Sequence, residues 1–273
     1  MMDNNSPIGV FDSGVGGLTV AREIMRQIPN ERIVYFGDTA RVPYGSKSKE
    51  TIIKYSKQII RFLLTQDVKA IVIACNTASA FALEECKKEF DIPIIGVVKP
   101  GAKVASETTN NGRIGVIGTE GTINSKIYSE FIHEINDDID VIGKPCPLFV
   151  PLVEEGLLSD PVTDEIASRY LKEFKDHDID TLVLGCTHYP LIQSTIRRIV
   201  GDKVSLVNPA YETAIELRHL LEKKHIANIK EHDAPSQMYR FYVSDAAKKF
   251  KDFANSILPF DILTTQQINI DEY

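Results

Sequence analysis

Short apolar runs alternate with helical patterns along most of this chain. The runs are strand-length and rich in Val and Ile, which is typical of parallel strands covered on both faces. They occupy residues 8–11, 32–37, 70–74, 93–98, 113–118, 181–185 and 204–207. Between them, apolar residues recur at helical spacing, as in Ile52, Ile59 and Leu63. The alternation predicts an α/β fold in which helices flank mainly parallel sheets.

Two segments early in the chain resemble two segments further on. IGVFDSGVGG at 8–17 resembles IGVIGTEGT at 114–122, and IVIACNTAS at 71–79 resembles LVLGCTHYP at 182–190. The second pair places Cys75 and Cys186 at matching positions in the two copies. We therefore expect two α/β lobes related by a pseudo-two-fold axis, with the active site in the cleft between them.

The tail after Val207 is too short for a third α/β domain, and no Pro/Gly/Ser-rich linker separates it from the rest. It contains a helical pattern at 210–223, a strand-like segment at 238–244 and a second helical pattern at 245–257. We expect this tail to return to the first lobe. The first lobe is thus predicted to comprise residues 1–98 plus 208–273, and the second residues 99–207.

Composition and charge exclude several classes of protein. With 43% hydrophobic and 25% charged residues, the chain is typical of a globular protein rather than a disordered one. The formal net charge of −7 and the absence of a long Lys/Arg run argue against a nucleic-acid partner. The start of the chain does not resemble a secretory signal, and no apolar run is long enough to span a membrane. We expect a cytoplasmic protein without a membrane partner.

Polar residues follow five of the predicted strands. In open α/β sheets, ligands bind outside the carboxyl ends of the strands, so these residues are candidates for one site. They are Asp12 and Ser13, Asp38, Cys75 with Asn76 and Thr77, Thr119, and Cys186 with Thr187 and His188.

The glycines after the first strand raise an alternative, a dinucleotide site. Gly14 and Gly16 follow a strand and open a helix, and Asp38 lies at a fitting offset. However, Thr19 replaces the third glycine, and Asp12 would place a carboxylate beside the pyrophosphate. We expect the glycines to allow the backbone to approach a small ligand instead.

The four cysteines show no CxxC pair or metal-ligand spacing, so each is interpreted as a single thiol. Cys86 and Cys146 have no strand-end setting and are interpreted as structural. Cys75 and Cys186 each follow a strand and precede a helix, where the helix N-terminus is expected to lower the pKa of the thiol. A buried cysteine often serves only as a small hydrophobe, but matching placement in both halves favours a chemical role.

Two thiols on opposite sides of a cleft suit the inversion of a stereocentre. One thiolate removes a proton from the carbon while the opposite thiol delivers another to the other face. No electron-sink cofactor is apparent, so the pocket must stabilise a carbanion-like transition state with preorganised donors and by excluding water. Ser13, Asn76, Thr77 and Thr187 offer donors for a substrate carboxylate.

Several strings resemble the bacterial glutamate racemases. They are IGVFDSGVGGLTV, GDTARVPYG, VIACNTAS, GVIGTEGTI, FVPLVEEG and LGCTHYPL, and the resemblance runs from residue 8 to about residue 200. It implies interconversion of L- and D-glutamate without pyridoxal phosphate, another cofactor or a metal. It also implies a homodimer and a supply of D-glutamate for peptidoglycan synthesis and cell shape. One departure is Val42, where many relatives have a cysteine.

The resemblance implies roles for individual residues. Cys75 and Cys186 correspond to the proton-transfer cysteines, with Asp12 assisting the first thiol, and His188 with Glu154 assisting the second. Asp38 corresponds to a position with a weaker role. The implied substrate-contacting residues are Asp12, Ser13, Tyr44, Gly45, Asn76, Thr77, Thr119, Thr187 and His188. From the residues alone, Glu154 could be no more than part of a solvated helix face, which is the commoner position of a Glu side chain.

Two alternatives stay open from the sequence. An aspartate racemase would use the same two cysteines, and a one-methylene difference in substrate changes discrimination by only about 1–3 kcal/mol in a simple pocket. A two-lobe binding protein with two inert cysteines is the alternative outside the enzymes.

Overall fold

The computed structural model describes residues 3–229, 238–262 and 264–273. The strands in these residues are β1 (Ile8–Asp12), β2 (Ile33–Gly37), β3 (Ala70–Ile73), β4 (Ile94–Gly96), β5 (Arg113–Gly118), β6 (Asp140–Pro145), β7 (Thr181–Gly185), β8 (Ser205–Val207), β9 (Tyr239–Val243) and β10 (Gln266–Gln267). They form a six-stranded sheet in the order β10-β9-β2-β1-β3-β4 and a four-stranded sheet in the order β6-β5-β7-β8. Every pair is parallel.

The same strand order occurs twice. The order β2-β1-β3-β4 in the first sheet corresponds to β6-β5-β7-β8 in the second. β3 and β7 therefore occupy equivalent positions, and Cys75 and Cys186 lie just beyond their carboxyl ends. The α/β class with two helix-flanked parallel sheets, predicted from the sequence, is confirmed.

Helices cover the sheets. They are α1 (Leu18–Gln27), α2 (Lys49–Leu64), α3 (Asn76–Glu89), α4 (Val98–Thr108), α5 (Glu120–Asn124), α6 (Ile127–Ile135), α7 (Phe149–Glu154), α8 (Pro161–Asp176), α9 (Gln193–Val200), α10 (Pro209–Lys223) and α11 (Ala247–Ile257). No helix in the described parts of the chain is both long and apolar enough to cross a membrane.

β1 shows why these runs form buried strands. Ile8 and Val10 pack into one apolar cluster with α1 and α10, whereas Phe11 packs into another with α2 and α3. Successive side chains of a strand point to opposite faces, so a strand with helices on both sides must be apolar at every position. This explains why continuous Val/Ile runs, rather than alternating patterns, marked the central strands.

β6 was not predicted from the sequence. It lies at the edge of the second sheet, and its side chains are half-buried or exposed. An edge strand contacts one neighbour only, so its sequence DVIGKP needs no apolar run.

The tail returns to the first sheet. β9 pairs with β2 in parallel, and α10 packs against α1 and α4. Residues 1–2, 230–237 and 263 of the predicted first lobe lie outside the described residues.

A buried ion pair joins the amino ends of the strands in this sheet. Lys69 and Glu31 precede β3 and β2, and their side chains are almost fully buried, with Nζ 2.6 Å from Oε2. The Lys69 ammonium also donates to the carbonyls of Asn4 and Ile226, at 2.6 and 2.8 Å. The backbone N–H of Asn228 donates to Glu31 at 2.7 Å. The pair thus ties both the start of the chain and the segment after α10 to the sheet.

Candidate active site

A cavity of about 390 Å³ opens at the carboxyl ends of the strands of both sheets. It is lined by Ser13, Gly14, Val42, Pro43, Tyr44, Gly45, Ser46, Cys75, Asn76, Thr77, Thr119, Glu120, Pro147, Val150, Pro151, Glu154, Cys186, Thr187 and His188. Every predicted site residue except Asp12 and Asp38 is in this set. Both thiols reach the same cavity, each from a different sheet.

Cys75 joins β3 to α3. It is the N-cap residue of α3, where its sulfur accepts a hydrogen bond from the Ala78 N–H at 3.5 Å. Burial raises the pKa of this thiol to about 12, and the Asp12 carboxylate adds to the increase. The Ala78 N–H and the Ser13 side chain act in the opposite direction. The helix N-terminus thus lowers this pKa as predicted, but the predicted net decrease is wrong, because the desolvation of a buried thiolate outweighs the hydrogen bond from one N–H group.

Cys186 has a different environment. Its sulfur lies 3.7 Å from Nδ1 of His188, and Nε2 of the same ring lies 3.0 Å from Oε1 of Glu154. The chain continues into a short 3₁₀ turn at Tyr189–Ile192 before α9 begins. A thiol, an imidazole and a carboxylate are thus arranged in a row.

The ionisation of this row follows from its contacts. Burial alone would lower the pKa of His188, but the hydrogen bonds with Cys186 and Glu154 outweigh it and raise the pKa to about 10. The hydrogen bond with His188 lowers the pKa of Glu154 in turn. At neutral pH the pair is therefore an imidazolium and a carboxylate, and the imidazolium carries an N–H on the side of the sulfur.

Asp12 does not line the cavity. Its side chain is fully buried, with Oδ2 accepting from the Gly14 N–H at 2.9 Å and Oδ1 lying 3.5 Å from Oγ1 of Thr187. Burial raises its pKa, while the charge of His188 and the N–H groups of Gly14 and Gly17 oppose the rise. The carboxylate therefore lies within the electrostatic reach of both Cys75 and His188.

Three hydroxyl groups join the two sheets at one side of the cavity. Oγ1 of Thr77, which follows β3, lies 2.8 Å from Oγ1 of Thr119, which follows β5. Thr122 on α5 contacts both hydroxyls, at 3.1 and 3.0 Å. Each hydroxyl has one proton to donate and two lone pairs that accept, so one of the three can donate to a ligand while it accepts from its neighbours.

Tyr44 and Gly45 form another part of the wall. The Tyr44 ring is buried, and its hydroxyl hydrogen-bonds to Asp38. Asp38 is fully buried rather than exposed at the polar rim that the sequence predicted. It also accepts from Arg41 and Ser244, at 2.8 and 2.9 Å, and so contacts the wall rather than the cavity.

The comparison with known proteins identifies the family. The family model described as Asp/Glu/Hydantoin racemase matches residues 8–215. The chain belongs to this racemase family. The sequence-based prediction of an isomerase that acts as an amino-acid racemase is confirmed.

Relatives of this racemase match over nearly the whole chain. The glutamate racemase of Oceanobacillus iheyensis is 46% identical over 267 residues, which cover 96% of both proteins. A crystal structure of glutamate racemase from Bacillus anthracis has a TM-score of 0.93 at 40% identity, and covers 97% of this chain and 98% of that one. The glutamate racemase of Francisella tularensis, solved in complex with D-glutamate, has a TM-score of 0.91 at 41% identity, over 99% and 100%.

Part of the racemase cavity was not predicted from the sequence. The missed lining residues are mostly apolar, namely Val42, Pro43, Pro147, Val150 and Pro151. They belong to connections after β2 and β6 and to the first turns of α7. Apolar loop residues carry no chemical signal of their own, so only the folded chain brings them to the site.

The other two cysteines lie outside the cavity lining. Cys86 and Cys146 are fully buried in separate apolar clusters, and burial raises the pKa of both thiols. In the portions of the chain that the structure describes, no group of three or more acidic, His or Cys side chains could hold a metal ion.

Proposed function

We propose that this racemase interconverts L- and D-glutamate by proton transfer between its two cavity thiols and the α-carbon. The observation that carries the proposal is the placement of Cys75 and Cys186 at equivalent strand ends of two sheets, with both side chains lining one cavity. The relatives described above support glutamate as the substrate, because those with 40% identity or more are glutamate racemases over nearly their full length.

The proposed reaction conserves protons. A thiolate on one side removes the α-proton and becomes a thiol, while the thiol on the other side gives its proton to the opposite face and becomes a thiolate. The product is the other enantiomer, and the two thiols have exchanged protonation states. The reverse reaction uses the same two groups in the opposite roles.

The two thiols are proposed to be assisted differently. On one side, His188 gives the Cys186 sulfur an imidazolium N–H, and Glu154 holds that ring in place and keeps it charged. On the other side, burial and then the nearby carboxylate of Asp12 disfavour the thiolate of Cys75 and raise its pKa. We expect the ammonium group of a bound amino acid to offset this cost, since it brings a positive charge between them.

Ser13, Asn76, Thr77 and Thr187 are proposed to bind the substrate carboxylates. Their hydroxyl and amide groups are side-chain donors among the residues that line the cavity. Thr119, through its hydroxyl cluster, and the Tyr44–Gly45 segment are proposed to contact the substrate further from the α-carbon. Donors that are already in position can stabilise the carbanion-like transition state with little reorganisation.

The wider context is also a proposal. We propose that the enzyme acts without a cofactor or metal, as a homodimer in the bacterial cytoplasm, and supplies D-glutamate for peptidoglycan. We also propose residues 1–98 with 208–273 as one lobe and residues 99–207 as the other.

The test is the optical rotation of L-glutamate over time with purified protein, a reducing agent and EDTA, and with no added cofactor. Decay of the rotation to zero supports the proposal, and Cys75→Ser and Cys186→Ser should each abolish the decay. Cys86→Ser serves as the matched control, because Cys86 is a buried thiol outside the cavity lining. A flat trace with glutamate together with a decaying trace with aspartate would show that the substrate is aspartate and not glutamate.

A further inference from the structure

Tyr128 packs directly behind the cavity without lining it. The side chain belongs to α6 of the second lobe and is only 3% exposed. A Cβ atom at Gly185 would lie 3.2 Å from Cε2 of the ring, and one at Gly101 would lie 3.5 Å from Cε1. The ring therefore fills the space between α4 and the last residue of β7, and that residue immediately precedes Cys186.

The hydroxyl of the same tyrosine reaches the other lobe. It donates a hydrogen bond of 2.7 Å to Oδ1 of Asn76, the first residue of α3. Asn76 immediately follows Cys75. One side chain thus contacts the residue next to each of the two thiols, and it bridges the two lobes at that point.

This contact fixes which way the Asn76 amide faces. Among the described residues, the hydroxyl of Tyr128 has Asn76 as its one hydrogen-bond partner. Burial raises the pKa of Tyr128, so the hydroxyl keeps its proton and must donate it. The acceptor has to be the amide oxygen, because an amide NH₂ has no lone pair to offer. Asn76 lines the cavity, and the NH₂ group is therefore the part of its amide that is left to face it.

The direction of the amide matters for an anionic ligand. A carboxylate accepts hydrogen bonds from an NH₂ group and is repelled by a carbonyl oxygen. A freely rotating Asn76 would present either edge. If the NH₂ edge is already held toward the cavity, binding does not have to include the free-energy cost of ordering the amide.

We propose that Tyr128 is a positioning residue of this racemase, which orients the Asn76 amide so that its NH₂ group receives a substrate carboxylate. The inference rests on the proposed function, because it assigns the ligand of Asn76 as an amino-acid carboxylate. Tyr128 itself does not touch the substrate. It acts through Asn76.

The test compares steady-state kinetics of Tyr128→Phe with the wild-type protein. The substitution keeps the ring and removes the hydroxyl. We expect the KM for L-glutamate to rise about tenfold while kcat changes less than about twofold, because the carboxylate is bound in the ground state and transition state alike. Titration calorimetry should show a matching loss of affinity. Tyr242→Phe is the control, since that hydroxyl is also in a buried side chain and contacts Gln66, away from the cavity.

A double variant separates positioning from general destabilisation. If Tyr128 acts through Asn76, adding Tyr128→Phe to Asn76→Ala should leave the KM of the single Asn76→Ala variant unchanged. Additive effects on KM would overturn the proposal, as would a wild-type KM in a Tyr128→Phe protein. A wild-type protein that neither binds nor racemises glutamate would refute the proposed function, and the inference would fall with it. An active wild type beside an unaffected Tyr128→Phe would refute the inference alone.

Discussion

Gly16 is the position where an added methyl group should damage catalysis most directly. It lies between β1 and α1. A Cβ atom there would lie 2.5 Å from Nδ1 of His188, and closer still to Oγ1 of Thr187. Ordinary contacts begin at about 3.4 Å, so Gly16→Ala must move its neighbours by about 1 Å. Nδ1 is the atom that lies 3.7 Å from the Cys186 sulfur.

The magnitude follows from this displacement. A shift of about 1 Å in a catalytic group can cost on the order of 10²-fold in rate, so we expect kcat/KM of Gly16→Ala to fall about 100-fold. Gly9→Ala is the matched control. Its Cβ would lie 3.1 Å from Cδ1 of Leu63 in the core, away from the cavity. It should lower stability by about 1–3 kcal/mol through overpacking but leave kcat/KM unchanged.

The assay is the initial rate of racemisation together with the urea unfolding midpoint of each protein. A Gly16→Ala protein that is folded and as active as the wild type would refute the argument from close approach. Equal losses of kcat/KM in both glycine variants would also contradict it, because the effect would then be one of stability.

Three further predictions concern titration and stability. Burial opposes the charged form of His188, but hydrogen bonds with Cys186 and Glu154 raise its pKa to about 10. Charged His188 thus stabilises the fold fully below its ordinary pKa of about 6.5, and this contribution is lost as the pH rises through about 10. Urea unfolding should show Glu154→Gln less stable than wild type near pH 7, with the gap closing above about pH 10; a constant gap would contradict this. Because burial raises the pKa of Cys75 to about 12, its alkylation by iodoacetamide, followed by mass spectrometry, should be slow at pH 7.5 and rise about tenfold per pH unit up to about pH 10. A rate independent of pH would count against a protonated thiol. Lys69→Met leaves the Glu31 carboxylate buried without its partner and should cost about 3–5 kcal/mol in urea unfolding, with kcat unchanged; a loss below about 1 kcal/mol would argue that the pair is not buried in solution.

The sequence predicted the two thiols of this site well, because they lie in segments that resemble each other. Cys75 and Cys186 were recognisable because each follows a buried strand in one of two similar segments, and β3 and β7 place them at equivalent strand ends. A motif at the end of a predicted strand can be placed in the fold from the sequence, because the carboxyl ends of parallel strands meet at one edge of a sheet.

Features that depend on how the two halves pack were not predictable. Tyr128 on α6 reaches Asn76 on α3, and the sequence gives no sign of this contact between distant residues. The raised pKa of Cys75 is not predictable from the sequence either, because the helix start and the pairing with Asp12 are visible there but complete burial is not. Likewise, Asp38 follows a strand as expected but turns to Arg41 and Ser244, away from the cavity.

The central claim is that two thiols act on opposite faces of one carbon, and racemisation of L-glutamate in D₂O tests it most directly. Mass spectrometry of both enantiomers at early times should find deuterium at the α-carbon of D-glutamate, since the donating thiol exchanges with solvent. The remaining L-glutamate should stay unlabelled, because the removed proton leaves on the other thiol. Deuterium that enters both enantiomers at equal rates would contradict the account and point to a single base that reaches both faces.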